Sequence, residues 1–367
     1  MKIAIDARMI NSSTGRYAER LLHYLQELDT VNTYTVIVPT KDRDYWTPTN
    51  ANFNVVTTDV DFYSFAEQTT FYTFIESLNA DLVHFTMPQQ PVRYKKPHVT
   101  TVHDLTLLKT YNSDKNWFVY HFKQLVARSV FKIAAESSRT VVTPSEYTKQ
   151  EVQTYFGISP EKISVTYEAA DSINAAPIPY TLPSNEYLLY VGQQSDYKNI
   201  RRLVLAHQEL IKNHPKLHLV LVGGKNKALR TNEAWVQKNN YQQVIFTGFV
   251  DDGQLNWLYA NATCYVFPSL MEGFGLPGLE AMRAGCPVVS SNATCLPEIY
   301  GNAAHYFDPT SIADMTAKIG QILTDAALRS TLINNGTVRV NEYSWERTAR
   351  QTLAIYAASV SESSQAA

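Results

Sequence analysis

Residues 272–280, Glu-Gly-Phe-Gly-Leu-Pro-Gly-Leu-Glu, form the segment of the chain best suited to chemistry. Gly273 and Gly275 carry no side chain, so the backbone N–H groups beside them can approach a ligand closely. Pro277 suits the first turn of a helix, and the N-terminus of a helix favours bound phosphate groups. The segment therefore predicts a seat for a diphosphate at the start of a helix over 277–284.

Two glutamates, Glu272 and Glu280, flank this predicted seat. Carboxylates repel phosphate, but they are good hydrogen-bond acceptors for the hydroxyl groups of sugars. A ligand with charge in the middle and hydroxyls at both ends would satisfy the whole segment. A nucleotide sugar has this chemistry, because its diphosphate lies between a sugar and a ribose.

Gly273, Gly275 and Gly278 spell Gly-x-Gly-x-x-Gly, which permits a second interpretation as an NAD site. Glu298 lies about twenty residues further on, where a dinucleotide fingerprint has its acidic residue. In that fingerprint, however, the glycine turn leaves its strand directly, whereas residues 268–272 intervene here. A third interpretation is a tight strand-to-helix turn without a ligand.

The composition indicates a protein of two domains with no affinity for nucleic acid. The chain has 367 residues, 45% of them hydrophobic, which is more than one compact core usually holds. Its 32 Lys and Arg residues nearly balance its 34 Asp and Glu residues. General electrostatic attraction to a polyanion is therefore not expected.

Signals for export, membrane spanning and metal binding are missing from the sequence. Residues 1–6 run directly into a strand pattern, and no uncharged apolar run approaches the ~20 residues that span a bilayer. Cys264, Cys286 and Cys295 lack CxxC spacing and a histidine cluster, which indicates reduced structural thiols and no metal site. We therefore expect a cytoplasmic protein whose contact with a membrane is at most peripheral.

Short apolar runs alternate with longer amphipathic stretches, which predicts an α/β fold of parallel sheets wrapped by helices. The predicted strands cover residues 2–6, 34–38, 81–85, 98–102 and 140–143, and then 187–191, 217–222, 244–247, 264–267 and 287–290. A proline-rich stretch at 172–184 separates the two series. Because ligands bind at the carboxyl ends of such strands, we expect two doubly wound domains facing each other across a cleft.

The central segment belongs to a longer series of motifs. Residues 269–282 are followed by Gly-Cys-Pro-Val-Val at 285–289 and Leu-Pro-Glu at 296–298. Further pieces lie at 5–8, 15–17, 81–85, 102–104, 143–146, 191–192, 198–199 and 344–346. In this order they resemble the signature of glycosyltransferase family four, retaining enzymes of the GT-B fold, and the likeness covers nearly the whole chain.

The resemblance implies a division into Rossmann-like domains with distinct partners. The N-terminal domain, 1–173 joined by a returning helix at 346–360, would bind the acceptor. The C-terminal domain, 174–345, would bind the nucleotide-sugar donor. A flexible tail is expected at 361–367.

The resemblance also assigns roles in the donor domain. Glu272 would contact the transferred sugar, Glu280 the ribose hydroxyls, and Lys198 the diphosphate. Further contacts to the donor are expected from Gly192, Gly273, Phe274, Gly275 and Leu276. Many relatives carry a second cation where this chain has Gln193 or Tyr197, so Arg201 and Arg202 are the substitutes that the sequence offers.

In the acceptor domain, the candidate residues follow predicted strands. His103, followed by Asp104, is expected to make a catalytic contact with the sugar or the acceptor. Gly15 resembles the family glycine that lets the chain approach the donor and the acceptor. His84 lies at an analogous strand end, where packing and an acceptor contact are equally open.

The resemblance implies a retaining hexosyltransferase that needs no cofactor or metal and transfers a sugar to a hydroxyl of a glycan or lipid-linked acceptor. Bacterial relatives favour GDP-mannose as donor and cell-surface polysaccharide as product, with glucosyl or rhamnosyl transfer as alternatives. Alternatives of another class are an NAD-dependent oxidoreductase and a non-catalytic sugar-nucleotide-binding protein. The aromatic, basic stretch 117–133 either packs on the core or contacts a membrane peripherally.

Overall fold

The fold is seen in a computed structural model that describes residues 1–12, 14–110, 117–171, 173 and 175–365, without the side chains of 117–123 and 362–365. The chain divides into two compact units. The first comprises Met1–Glu168 and Ser344–Ala367, and the second comprises Ala169–Tyr343. These divisions lie a few residues before the boundaries suggested by the sequence.

A parallel sheet forms the centre of the first unit, and its described strands have the order β3-β2-β1-β4-β5-β6-β7. They are β1 (Lys2–Asp6), β2 (Thr33–Pro39), β3 (Phe53–Thr58), β4 (Leu82–Phe85), β5 (His98–Thr101), β6 (Thr140–Thr143) and β7 (Ile163–Val165). The helices are α1 (Arg16–Leu28), α2 (Tyr72–Ser77), α3 (Thr106–Lys109), α4 (Trp117–Ser137), α5 (Glu146–Phe156) and, at the end of the chain, α13 (Trp345–Gln365).

The second unit repeats this architecture, with described strands in the order β10-β9-β8-β11-β12-β13, all parallel. They are β8 (Tyr187–Val191), β9 (His218–Val222), β10 (Val244–Gly248), β11 (Cys264–Phe267), β12 (Val288–Ser291) and β13 (Ala304–Phe307). The helices are α6 (Ile200–Leu210), α7 (Lys227–Lys238), α8 (Asp252–Asn261), α9 (Leu276–Arg283), α10 (Leu296–Tyr300), α11 (Ile312–Thr324) and α12 (Ala326–Val340).

The predicted strands are all present, and three further strands were not predicted: β3, β7 and β13. Each lies at an edge of its sheet and is only partly buried. Central strands such as β8 and β11 are buried almost along their whole length and appear as continuous apolar runs. An edge strand has only one neighbour, so its apolar pattern is diluted.

Three features of the chain complete the fold. Cys264, Cys286 and Cys295 are buried free thiols, as expected, and burial raises the pKa of each. Helix α13 packs on α1, and the tail predicted at 361–367 is helical as far as Gln365, with 366–367 outside the described residues. Among the described helices, none has the length and apolarity required to cross a bilayer.

Candidate donor site and acceptor-domain residues

The turn into α9 is built around Gly275. Its φ angle is 104°, a conformation that glycine adopts readily and other residues rarely do. A Cβ atom here would lie 2.5 Å from the hydroxyl oxygen of Tyr300, and that hydroxyl donates a hydrogen bond of 2.5 Å to the Gly275 carbonyl. Helix α9 therefore begins directly after a turn that Tyr300 holds, with the positive end of its dipole at the predicted diphosphate seat.

Lys198 and Glu272, the residues predicted to bind the diphosphate and the sugar, form an ion pair. Lys198 Nζ lies 2.6 Å from Glu272 Oε1, and the two side chains are only 14% and 12% exposed. Burial disfavours the charged ammonium, but the Glu272 carboxylate raises the pKa of Lys198 above its ordinary value. Lys198 therefore remains a cation and acts as a counter-charge, not as a base.

Asn199 positions Lys198 beside the segment that carries Glu272. Its amide Nδ2 donates hydrogen bonds to the carbonyl oxygens of Pro268 (3.0 Å) and Pro309 (2.8 Å). The residue is buried and has a φ angle of 62°, which asparagine tolerates better than most residues. The Lys-Asn dipeptide before a helix pattern is the signal that marks this position in the sequence.

The other predicted donor residues lie along the same edge of the second sheet. Gly192 directly follows β8, and its N–H donates to the Val222 carbonyl at 2.9 Å. Glu280, in α9, is 9% exposed, and its Oε2 accepts a hydrogen bond of 3.3 Å from the Tyr259 hydroxyl. Gly273, Phe274 and Leu276 lie in the turn before α9 or at its start. Their contacts with a donor remain predictions.

The glycine pattern considered for an NAD site has a packing explanation. A Cβ atom at Gly278 would lie 2.3 Å from the Tyr300 hydroxyl oxygen, so close packing of α9 on Tyr300 requires glycine there. Strand β11 ends at Phe267, which leaves residues 268–272 between the strand and the glycines. The dinucleotide fingerprint therefore lacks the tight strand-to-helix geometry on which it depends.

Arg201 and Arg202 are held by neighbouring amides in the first turn of α6. Arg201 Nε donates to Asn232 Oδ1 (3.4 Å), and Arg202 Nη1 donates to Asn199 Oδ1 (2.9 Å). Neither forms a hydrogen bond or ion pair with Glu272 in the part of the chain that the structure describes. The second phosphate-binding cation is therefore not identified by these contacts.

His103 lies after β5 with both ring nitrogens facing oxygen acceptors. Nε2 lies 3.0 Å from the Thr86 carbonyl oxygen, and Nδ1 lies 3.4 Å from Glu168 Oε1. Burial lowers the pKa of His103, but the bond and charge of Glu168 outweigh it and raise the pKa above 6.5. Two acceptors favour a ring with a proton on each nitrogen, so His103 is suited to contributing positive charge and not to accepting a proton.

Gly15 and Asp104 make local contacts that explain their residue types. A Cβ atom at Gly15 would lie 1.9 Å from the Ile10 carbonyl oxygen, so the turn into α1 itself requires glycine. Asp104 Oδ1 accepts the N–H of Thr106 at 2.8 Å at the start of α3. Their predicted ligand contacts stay predictions, because these local functions already account for both residues.

His84 is a core residue, which favours the packing alternative over the acceptor contact. Its side chain is fully buried, with Nδ1 2.6 Å from the Tyr356 hydroxyl and Nε2 2.8 Å from Thr101 Oγ1. Burial lowers its pKa to about 3, so the ring is neutral. Both nitrogens are used within the protein, and none remains for a ligand.

Comparisons with known proteins identify the family of the chain. Residues 14–172 match the family described as Glycosyltransferase Family 4, and residues 180–339 match Glycosyl transferases group 1. O-antigen chain mannosyltransferase B of Escherichia coli is 31% identical over 277 residues, which cover 70% of this chain and 69% of that protein.

Two solved structures share the fold at low sequence identity. Sucrose-phosphate synthase from Thermosynechococcus elongatus has a TM-score of 0.77 and 19% identity over 97% of this chain and 98% of that one. HepE from Anabaena, in complex with UDP-glucose, has a TM-score of 0.73 and 18% identity over 98% of this chain and 100% of that one. The predicted α/β fold of the GT-B class is thereby confirmed.

Proposed function

The chain belongs to the glycosyltransferases of group 1 and family four, and we propose that it transfers mannose from GDP-mannose, with retention of configuration, to a hydroxyl of a glycan or lipid-linked acceptor. As a member of this family it is a hexosyltransferase. The name of the Escherichia coli relative, an O-antigen chain mannosyltransferase, supports mannose as the sugar and cell-surface polysaccharide as the product.

The observation that carries the proposal is the meeting of Lys198 and Glu272 just before α9. The two residues are 74 positions apart in the chain, yet their charged atoms lie within 2.6 Å. A cation, a carboxylate and a helix N-terminus in one place match the diphosphate and hydroxyl groups of a nucleotide sugar. Lys198 would stabilise the departing diphosphate, and Glu272 would orient the sugar.

We propose a front-face substitution at the anomeric carbon. The bond from this carbon to the diphosphate oxygen breaks while the acceptor hydroxyl oxygen forms a new bond on the same face. The departing phosphate oxygen takes the hydroxyl proton, so a side-chain base is not required. Lys198 then offsets negative charge as it develops on the leaving group.

The test is a comparison of GDP-mannose, UDP-glucose and dTDP-rhamnose as donors, with and without a mannose-terminated glycan. Nucleotide release is measured, and the anomeric configuration of the product is read by NMR. We expect the largest acceptor-dependent release with GDP-mannose and a product of the donor's configuration. Acceptor-dependent release with UDP-glucose and with neither other donor would identify glucose as the transferred sugar. The HepE complex contains UDP-glucose. Donor binding without turnover would indicate a non-catalytic protein.

The proposed role of Glu272 is tested by removing its side chain and comparing the result with removal of another glutamate in the same unit. Glu272→Ala is expected to lower transfer by roughly a hundredfold or more, because the sugar loses its orienting contact. Glu209→Ala is the matched control, since Glu209 forms an exposed pair with Lys212 in the same unit. A Glu272→Ala protein with full transfer activity would refute the role.

We also propose a peripheral membrane contact through α3 and α4 of the first unit, which would bring the site to a lipid-linked acceptor. Leu107 of α3 and Leu125 and Val126 of α4 are exposed, and Lys132, further along α4, is exposed and pairs with Glu136. Apolar groups beside a cation suit an anionic lipid surface. The aromatic side chains at 117–123 lie outside the described residues. Cosedimentation with anionic and neutral vesicles tests the contact, and equal recovery with both would oppose it.

A further inference from the structure

A polar cavity of about 290 Å³ lies at the start of α6 in the second unit. Its walls are the segment after β8, the first turn of α6 and Asn232 of α7. Neither Lys198 nor Glu272 belongs to its described lining. Asp196 and Asn199, which flank Lys198 in the chain, do line it, so the cavity adjoins the ion pair without containing it.

An unpartnered amide donor and two arginines line this cavity. Gln194 is 2% exposed, and its amide Nε2 has no hydrogen-bond partner within the described residues. Leaving a buried amide donor unpaired is unfavourable, so such a group indicates a missing partner. Arg201 and Arg202 line the same cavity, at the N-terminus of a helix whose dipole favours anions.

The amide oxygens around the cavity are already used. Asn232 Oδ1 accepts from Arg201, and Asn199 Oδ1 accepts from Arg202. Gln194 Oε1 faces Asn232 Nδ2 at 3.4 Å. The arginines are thus held in place by neutral amides, which fix their positions without cancelling their charge.

The charged groups of the lining leave a positive excess. Within the lining Asp196 is the carboxylate set against Arg201 and Arg202, and outside it Asp308 also interacts with Arg202. Arg201 also lies over the ring of Trp235, with 5.3 Å from Cζ to the ring centroid, which further restricts its guanidinium. A preorganised pair of guanidinium groups suits an oxyanion better than a neutral ligand.

We propose that this cavity binds a phosphate-type oxyanion, held by the Gln194 amide nitrogen, the guanidinium groups of Arg201 and Arg202 and the N-terminus of α6. The site is separate from the donor diphosphate seat at Lys198. The oxyanion is either free inorganic phosphate or the phosphate group of a larger metabolite. Asn199 connects the two sites, because it holds Arg202 and directly follows Lys198.

Titration with inorganic phosphate at constant ionic strength tests the proposal, with binding followed by calorimetry and by ³¹P NMR line width. Gln194→Leu and Arg201→Gln should each weaken phosphate binding at least tenfold. Lys212→Gln, which removes an exposed cation just beyond α6, is the matched control and should leave binding unchanged. Arg201 is exposed, so its variant keeps the proposal testable if the buried Gln194 variant fails to fold.

A second arm separates the cavity from the donor seat and identifies the source of the oxyanion. Lys198→Met should retain phosphate binding, and a nucleoside diphosphate should not displace the phosphate. The proposal would be overturned if Lys198→Met lost phosphate binding or if the nucleoside diphosphate displaced the phosphate. Unchanged phosphate binding in both Gln194→Leu and Arg201→Gln would also overturn it. Tighter binding of a sugar phosphate than of inorganic phosphate, with the same loss in Arg201→Gln, would identify the phosphate of a larger metabolite. The measurement uses no sugar transfer, so it stands independently of the proposed enzymatic function.

Discussion

Replacement of Glu272 by glutamine removes the charge that holds Lys198 and leaves the side-chain shape nearly unchanged. At the 2.6 Å separation of Nζ and Oε1, an effective dielectric constant of ~20 gives a Coulomb attraction of about 6 kcal/mol. Desolvation of the two groups offsets much of this attraction, and removal of one partner from a buried pair costs about 3–5 kcal/mol. Because both side chains retain slight exposure, we expect Glu272→Gln to lower the free energy of unfolding by about 2–3 kcal/mol.

The same substitution should strengthen the binding of a nucleoside diphosphate. Before a ligand binds, Lys198 is paired with the Glu272 carboxylate, and an incoming diphosphate must compete with that carboxylate for Lys198. Without that competitor, we expect a dissociation constant about fivefold lower, equivalent to about 1 kcal/mol. Transfer from the complete nucleotide sugar should nevertheless fall by roughly a hundredfold, because the sugar loses its orienting carboxylate.

Calorimetric titration with GDP, urea unfolding and a transfer assay on the same preparations measure the three effects. Glu209→Gln is the matched control, because Glu209 and Lys212 form an exposed pair whose side chains are 53% and 65% exposed. Such surface pairs contribute under about 1 kcal/mol, so the control should leave all three quantities nearly unchanged. Weaker GDP binding by Glu272→Gln, or equal loss of stability in both variants, would refute the reasoning.

Three further results are expected. Lys198→Met should weaken binding of the nucleoside diphosphate at least about tenfold in calorimetric titrations, since the seat loses its buried cation; unchanged affinity would exclude Lys198 from the seat. The raised pKa of His103 adds stability below pH 6.5, and this stability is lost as the pH rises through the pKa of the folded state. The urea midpoint of the wild-type protein should therefore fall above pH 6.5, and Glu168→Gln should make this fall smaller. Identical pH profiles of the two proteins would contradict the His103–Glu168 pair. Gly275→Ala should destabilise the protein by about 1–3 kcal/mol in urea unfolding because of its positive φ angle and the contact with Tyr300, and wild-type stability would show that the turn adapts.

Much of the fold follows from local patterns. Central strands such as β8 and β11 are buried on both faces, so a continuous apolar run identifies them and their ends. The edge strands β3, β7 and β13 lack such a run and became visible only through their pairing with a neighbour. Strand pairing joins residues that are distant in the chain, so a local sequence pattern carries no information about it.

The start of α9 is the part of the site that the sequence alone determined. A glycine at a left-handed position and a proline in the first helical turn constrain the backbone through their own covalent structure, whatever surrounds them. The identity of the cation beside Glu272 was, in contrast, only implied by a family motif. Tertiary folding brings Lys198 to it, and Asn199 holds Lys198 there through carbonyl groups of two distant segments.

The histidines of the first unit show most clearly what only the tertiary structure decided. His84 lies within β4, paired beside Val99 of β5, and His103 follows the end of β5, so both are near the same edge of the first sheet. The Tyr356 hydroxyl lies within hydrogen-bond distance of one nitrogen of the buried His84, whose ring is neutral. The Glu168 carboxylate instead favours the charged ring of His103. The charge of a histidine depends on which groups surround it, and those groups arrive by packing of remote segments.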